Sequence, residues 1–178
     1  MATKKASASA AKQEPVVADE KTVVNTTSKA RKIDPDDYVS VRNNTMGTLI
    51  YISSRQMGYN VTWEEFGDEE MIKYGELQAM RNSQKRFFTD NWIYIDDPEV
   101  VRALGVEKYY KHAVDPDSLR DLFELPVGQL RDRIAKMSDG MKDCIKRMAI
   151  HMYDAGELDS VSKMRVLEET LDFKFDLE

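Results

Sequence analysis

The sequence has one cysteine, two histidines and no long apolar run, and these shortages exclude several classes of protein. The single thiol, Cys144, cannot form an intramolecular disulfide, so we expect a chain that works in a reducing compartment. His112 and His151 lie far apart and lack partners at metal-ligand spacing, so a zinc site is not expected. Without a membrane-spanning run, no membrane partner is expected.

Motifs that carry catalysis are also missing from the sequence. It contains no phosphate-binding loop, no dinucleotide-binding glycine pattern and no serine in a nucleophile elbow. Asp96 and Asp97 could form a carboxylate pair, but neighbouring residues of an extended segment point to opposite faces. We therefore expect a protein that is not an enzyme, with no cofactor and no small-molecule substrate.

Charge is abundant in this sequence, and it is unevenly distributed. Residues 1–32 have a net charge of +4, whereas residues 33–114 and residues 115–178 each have a net charge of −5. Up to Asp37 the chain has no leucine and no aromatic residue, so it cannot bury enough apolar surface to offset the entropy of ordering. We expect residues 1–37 to be a disordered, flexible basic arm, either a solubilising tail or a segment that orders on a partner.

Residues 38–114 are predicted to form a small α+β domain. The runs YVSVR, TLIYIS and YNVTW alternate between apolar and polar residues, and the turn-forming stretches NNTMG and SRQMG separate them. This pattern predicts an antiparallel meander. MIKY fits a short strand or a short helix, and NWIYIDD fits a further strand beside a covering helix. The expected core residues are Leu49, Tyr51, Val61, Trp63, Phe87, Phe88 and Trp92.

Residues 115–178 are predicted to form a helical domain. Asp115 with Pro116 is typical of a helix start, and Ser138 is positioned to cap a long helix from about Asp139 to Ala155. That helix carries an apolar stripe of Met141, Cys144, Ile145, Met148 and Met152. We expect the stripe to be core, although a methionine-rich face can also accept a partner helix.

Five segments, spread over most of the chain, share their style and order with one class of proteins. They are MATKKASASAAK, VSVRNNTMGTLIY, VTWEEFGDEEM, ELQAMRNSQKRFFTDNWI and GELDSVSKMRVLEETL. Together they resemble small virion structural proteins of tailed bacteriophages. The resemblance implies a non-enzymatic component of the head, the head-tail junction or the tail, assembled in the bacterial cytoplasm.

Two functions of different classes fit these features. The first is an assembly protein that binds neighbouring protein subunits, copies of itself included, through its arm and its two turns. The second is a nucleic-acid-associated accessory protein that contacts phosphates through the arm and the stretch from Arg131 to Arg147. The acidic body favours the first function. An exposed stripe joining Arg131, Arg133, Lys142, Lys146 and Arg147 would favour the second. The candidate partner-binding residues are Lys4, Lys5, Lys12, Arg31, Lys32, Asn43, Asn44, Arg55 and Met57.

Overall fold

The structure, a computed structural model, describes residues 32–176. Its first part contains β1 (Tyr38–Asn43), β2 (Leu49–Ile52), β3 (Asn60–Trp63), β4 (Glu69–Lys73), α1 (Tyr74–Ser83), α2 (Arg86–Thr89), β5 (Ile93–Tyr94), α3 (Pro98–Leu104) and α4 (Glu107–Tyr110). Its second part contains the 3-10 turns Pro116–Ser118 and Arg120–Glu124, followed by α5 (Val127–Ala135), α6 (Asp139–Asp154) and α7 (Val161–Leu171). The predicted α+β class, with a small antiparallel sheet packed with helices and a C-terminal helical segment, is confirmed.

The strands form two antiparallel sheets, and the predicted meander is wrong. β1 lies between β4 and β5 in one sheet, while β2 pairs with β3 in a separate hairpin. The reason lies at Asn43, whose N–H donates to the Asp68 carbonyl and whose carbonyl accepts from the Gly67 N–H, both at 2.8 Å. These bonds place β4 beside β1. The predicted meander had assigned that position to β2. MIKY is divided, since its first three residues end β4 and Tyr74 begins α1.

The inward faces of both sheets form the predicted aromatic core. Tyr51 and Trp63 are fully buried, and the Trp63 indole N–H donates to the Val41 carbonyl at 2.9 Å. The Phe87 ring packs edge-on against Tyr51 and Trp92, with centroid distances of 5.8 and 5.6 Å. Of the predicted core residues, Trp92 alone is only half-buried. The alternation of side chains along β2 and β3 was therefore predicted correctly.

The helices of the second part bury a core of their own. The whole predicted stripe of α6 is buried there, together with Leu130 and Ile134 of α5 and Leu167 of α7. The Ser138 hydroxyl accepts a hydrogen bond from the Met141 N–H at 3.3 Å, which is the predicted N-cap of α6. Because the stripe already packs within the chain, it is not a free face for a partner helix.

Polar contacts at the end of β1 join the two parts. Arg42 is buried, and its guanidinium pairs with Asp96 at 3.0 Å, with Asp117 at 2.7 Å and with Asp115. Close packing also brings the start of α6 against the chain before β5, because a Cβ on Gly140 would lie 2.2 Å from the Asp90 carbonyl oxygen. Only glycine fits at that position without a shift of the backbone.

Residues 33–37 belong to the folded part, which shortens the predicted arm. Ile33 packs against the first core, and the Pro35 and Asp37 carbonyls accept hydrogen bonds from Gly75 and Tyr74 at 2.9 and 2.8 Å. The folded part therefore begins before Asp37, earlier in the chain than predicted. The amino-acid composition of this stretch did not indicate the contacts that hold it in the fold. Residues 1–31 of the predicted arm lie outside the described residues.

Replacing Trp63 by alanine should lower the free energy of unfolding by about 3 to 5 kcal/mol, because a fully buried ring is removed. Trp63→Phe keeps most of the ring and loses the hydrogen bond to Val41, so we expect a smaller loss of about 1 to 2 kcal/mol. Urea unfolding followed by circular dichroism measures both changes. Ile50→Ala, on the exposed face of β2, is the control. A near-neutral Trp63→Ala would contradict the buried placement of the ring.

Arg42→Met should lower the free energy of unfolding by about 2 to 3 kcal/mol, because three aspartates are left facing one another without their shared cation. The matched control is Arg147→Met, which removes an exposed pair with Asp143 within one helix and should cost less than about 0.5 kcal/mol. The same urea titration compares the two variants. Equal losses would show that the Arg42 cluster contributes no more than a surface ion pair.

Candidate partner-binding surface

The predicted partner-binding residues fall into three groups. Lys4, Lys5, Lys12 and Arg31 lie outside the described residues, and Lys32 is exposed where the description begins. Arg55 and Met57 are exposed in the connection between β2 and β3. Asn43 and Asn44, in contrast, are buried. The structure therefore brings together only part of the set.

Asn43 and Asn44 form hydrogen bonds in the interior of the fold. This corrects the prediction that they bind a partner. The Asn43 amide donates to the carbonyls of Gly47 and Glu65, both at 2.8 Å, and its oxygen accepts from the Thr45 N–H at 2.9 Å. The Asn44 amide donates to the Val114 carbonyl at 3.3 Å. Buried amides need such partners, and these bonds fix the connection between β1 and β2. Neither side chain is accessible to a partner in this arrangement.

Apolar side chains are exposed on the outward faces of both sheets. Tyr38 and Met71 lie on neighbouring strands, because Met71 is opposite Ser40 in the register of β1 and β4. Ile50 and Ile52 project from the outward face of β2, and Met57 stands fully exposed in the connection that follows. Each of these five side chains is more than half exposed. The alternation of apolar and polar residues predicted strands in this region. It did not predict that these outward-facing apolar side chains would be exposed to solvent.

A cleft of about 660 Å³ connects part of this apolar surface with the β2–β3 connection. Tyr38 and Met71 line one side of the cleft, and Arg55, Gln56 and Tyr59 line the other. The turn SRQMG, which was predicted to carry recognition, therefore lies beside exposed apolar side chains of the other sheet. We define the cleft surface as Tyr38, Arg55, Tyr59 and Met71, which line the cleft, together with Met57, which is exposed in the same β2–β3 connection but does not line it.

A buried polar network fixes the loop on this cleft. Glu76 of α1 is buried, and its carboxylate accepts hydrogen bonds from the Tyr51 hydroxyl at 3.1 Å and the Ser53 hydroxyl at 2.7 Å. The Ser53 oxygen in turn accepts from the N–H groups of Arg55 and Gln56, at 3.0 and 2.9 Å. Burial, with a contribution from the Glu76 charge, raises the pKa of Tyr51 to about 12. Tyr51 therefore remains a hydrogen-bond donor, and the loop is held against α1.

Two of the charged side chains that line the cleft, Lys73 and Asp36, form an ion pair. Lys73 Nζ lies 2.9 Å from the Asp36 carboxylate, and this hydrogen bond and charge raise the pKa of Lys73 and lower that of Asp36. Both side chains are exposed, so the pair contributes little to stability. Its position at the rim around exposed apolar groups resembles the polar border of a protein interface.

Three of the basic residues from Arg131 to Arg147 have different neighbours within the chain. Arg131 pairs with Glu169 of α7 at 2.8 Å, whereas Arg147 pairs with Asp143 and lines a different cleft, next to Thr45 and Thr48. Lys146 lies over the Phe173 ring, 5.4 Å from its centroid. Arg131 and Arg147 are therefore already paired with carboxylates of the same chain.

Cys144 is buried in α6, and burial raises the pKa of its thiol to about 12, so little thiolate forms near neutral pH. Within residues 32–176, no cluster of three or more histidine, cysteine, aspartate or glutamate side chains is arranged to hold a metal ion. In the same part of the chain, no helix combines the length and apolar character needed to cross a bilayer.

Comparison of this chain with protein-family models, with curated proteins and with solved structures finds no match. Candidate functions therefore rest on the surfaces that the fold creates. The cleft surface is the strongest of these, because it combines exposed apolar groups with a loop that hydrogen bonds hold in place.

In the native protein, Cys144 should react with an aromatic disulfide reagent at least about 100-fold more slowly than in urea, because its thiol is buried and protonated. Release of the coloured thiolate at mildly alkaline pH measures the rate. Met57→Cys, made together with Cys144→Ala, places a thiol at a fully exposed position and should react at the rate of the unfolded chain. A native Cys144 that reacted as fast would show that α6 is not packed as described.

Proposed function

We propose that this protein is a non-enzymatic structural or assembly subunit of a tailed-bacteriophage particle, assembled in the bacterial cytoplasm, that binds neighbouring subunits, including copies of itself. The observation that carries the proposal is the cleft surface, where the exposed apolar side chains Tyr38 and Met71 of one sheet adjoin the anchored β2–β3 connection. The resemblance of segment order to small virion proteins supports the particle assignment.

The composition of the cleft surface is that of a protein interface. Tyrosine, methionine and arginine are enriched where proteins contact one another, and four of the nine residues that line the cleft are of these types. Single exposed apolar residues are common, but Tyr38 and Met71 are diagonal neighbours on adjacent strands and line one cleft. Covering them with a neighbouring subunit removes apolar area from water, which favours association.

Anchoring of the β2–β3 connection lowers the entropic cost of binding at this surface. The Glu76 network already fixes the backbone at Arg55 and Gln56, so little loop entropy is lost when a partner binds. Met57 adds an unbranched, polarisable side chain that can adapt to the shape of a partner. The surface thus combines a fixed backbone with an adaptable contact.

The charge distribution suits a contact between the arm and a neighbouring body. Residues 1–32 carry +4, and each of the two body segments carries −5. Each copy therefore offers a basic arm and an acidic surface, and attraction between them would speed encounter and orient the neighbours. Lys4, Lys5 and Lys12 are the cations farthest from the folded part along the chain.

The nucleic-acid alternative has weaker support. It requires cations that are free to contact phosphates, yet Arg131 is paired with Glu169 and Arg147 with Asp143. The body is acidic, which repels phosphate. Protein partners are therefore the better account of the surfaces that the fold presents.

Replacing Tyr38, Met57 and Met71 together by serine should weaken self-association by about tenfold or more, because it removes the apolar contacts of the cleft surface. Light scattering over a wide concentration range measures the mass of each variant. Val161→Ser is the matched control, since Val161 is an equally exposed apolar residue in α7. A full-length chain that stays monomeric throughout, or a triple variant that associates like the original, would overturn the proposed contact between copies.

Replacing Lys4, Lys5 and Lys12 together by glutamate should reduce self-association while the thermal unfolding temperature stays unchanged, because these residues are expected to act only between subunits. Association of the original chain should also fall as salt is added, since exposed charges are screened. Light scattering and differential scanning calorimetry measure the two properties. Unchanged association in the variant would remove the arm from the proposed contact.

A further inference from the structure

Three cations line a cleft of about 330 Å³ between α1, α2 and the connection from α3 to α4. They are Arg81 in the last turn of α1, Lys85 just before α2, and Lys108 in α4. No aspartate or glutamate belongs to the lining of this cleft. Four other clefts in the described part of the chain are each lined by at least one carboxylate. We call the cleft with the three cations the basic cleft.

Hydrogen bonds hold the Arg81 guanidinium at the wall of the basic cleft. Its Nη1 donates to the Leu104 carbonyl at 2.7 Å, and its Nε and Nη2 donate to the Asn82 side-chain oxygen at 3.2 and 3.0 Å. A guanidinium has five N–H donors, so two remain unused among residues 32–176. Both acceptors are uncharged, so the positive charge is oriented without being neutralised. The bond to Leu104 also satisfies a carbonyl at the end of α3, and this structural role explains Arg81 but not the two lysines.

None of the three cations forms an ion pair with a carboxylate in the described part of the chain. Lys108 Nζ lies over the Tyr109 ring, 4.8 Å from its centroid, and an aromatic face does not neutralise a cation. Lys85 is exposed in the short connection between α1 and α2. A single unpaired lysine on a surface is common. The shared position of three unpaired cations around one cleft, on a body whose two segments each carry −5, points to an anionic ligand.

The apolar wall of the basic cleft strengthens this attraction. It consists of Phe88, Leu104, Val106 and Tyr109, and the first three are buried. Opposite charges attract one another more strongly beside such a wall than in bulk water. A phosphate group carries up to about two negative charges near neutral pH and has several acceptor oxygens, so it can contact both lysines and the unused N–H groups of Arg81 at once.

We propose that the basic cleft binds a phosphate group, either as free phosphate or as part of a small phosphorylated molecule. No sequence motif indicates this site, because its cations come from three separate segments and form no phosphate-binding loop. The phosphate would be a bound ligand and not a substrate. The inference does not depend on the proposed function, since the basic cleft and the cleft surface share no residue.

Amide chemical shifts of the full-length protein, measured at constant ionic strength, test the inference. Inorganic phosphate, phenyl phosphate and benzoate are added separately, and the amides of Asn82, Gly105 and Val106 report on the basic cleft. Both phosphates should give saturable shifts there. Benzoate, which has the ring of phenyl phosphate but only a carboxylate, should bind about fivefold more weakly or less. Tighter binding of phenyl phosphate would identify a phosphorylated molecule as the ligand, and equal binding of the two phosphates would identify free phosphate.

Replacing Lys85 and Lys108 together by glutamine should weaken the binding of phenyl phosphate by about tenfold, because two of the three charges are lost. The thermal unfolding temperature should stay unchanged, since both side chains are exposed. The matched control replaces Lys32 and Lys136, two exposed lysines outside the basic cleft, by glutamine and should leave the affinity unchanged.

Three results would overturn the inference. Shifts confined to residues 1–32 would assign phosphate binding to the predicted basic arm. Equal affinity of the two double variants would show that the lysines of the basic cleft do not hold the phosphate. Benzoate that bound as tightly as phenyl phosphate would show that the cleft does not select a phosphate group. The self-association tests use other residues, so each idea can fail separately.

Discussion

The ion cluster around the buried Arg42 is the constraint on which the rest of the structure depends. A guanidinium cannot be deprotonated at ordinary pH, so a buried arginine must be surrounded by partners. Burial opposes the charge of Arg42, but hydrogen bonds and charges from Asp117, Asp96 and Asp115 outweigh it and hold its pKa above the ordinary value. Those three carboxylates come from the chain before α3 and from the start of the helical part. One side chain at the end of β1 thereby positions both.

The two asparagines that follow Arg42 add buried hydrogen bonds next to this ion cluster. Asn43 ties the β1–β2 connection to the chain after β3, and Asn44 reaches the Val114 carbonyl at the border of the helical part. Two apolar cores thus lie on either side of a polar seam. Each polar side chain at this boundary needs a specific partner. These contacts therefore restrict the relative position of the two parts more than apolar contact alone would.

The seam also determines which surfaces remain for binding. It buries Asn43 and Asn44 at the start of the β1–β2 connection, whereas Arg55 and Met57 of the β2–β3 connection and the outward faces of the sheets stay exposed. There the Glu76 network fixes the loop, while Tyr38, Met57 and Met71 remain exposed. On the other edge of β1, the short β5 leaves an acidic groove. A particle subunit with a basic arm would have one apolar and one acidic surface to offer.

The sequence by itself determined the local features of this protein. Alternation predicted the strands and the inward faces of β2 and β3, a helical period predicted the buried stripe of α6, and Ser138 marked its start. These features depend on residues close together in the chain. Sequence did not predict that β4 lies beside β1, that residues 33–37 are folded, or that Asn43 and Asn44 are buried. An asparagine in a turn-forming stretch can lie exposed at the tip of a loop or be buried inside the fold. Only its tertiary partners, Glu65 and Val114 among them, decide between the two.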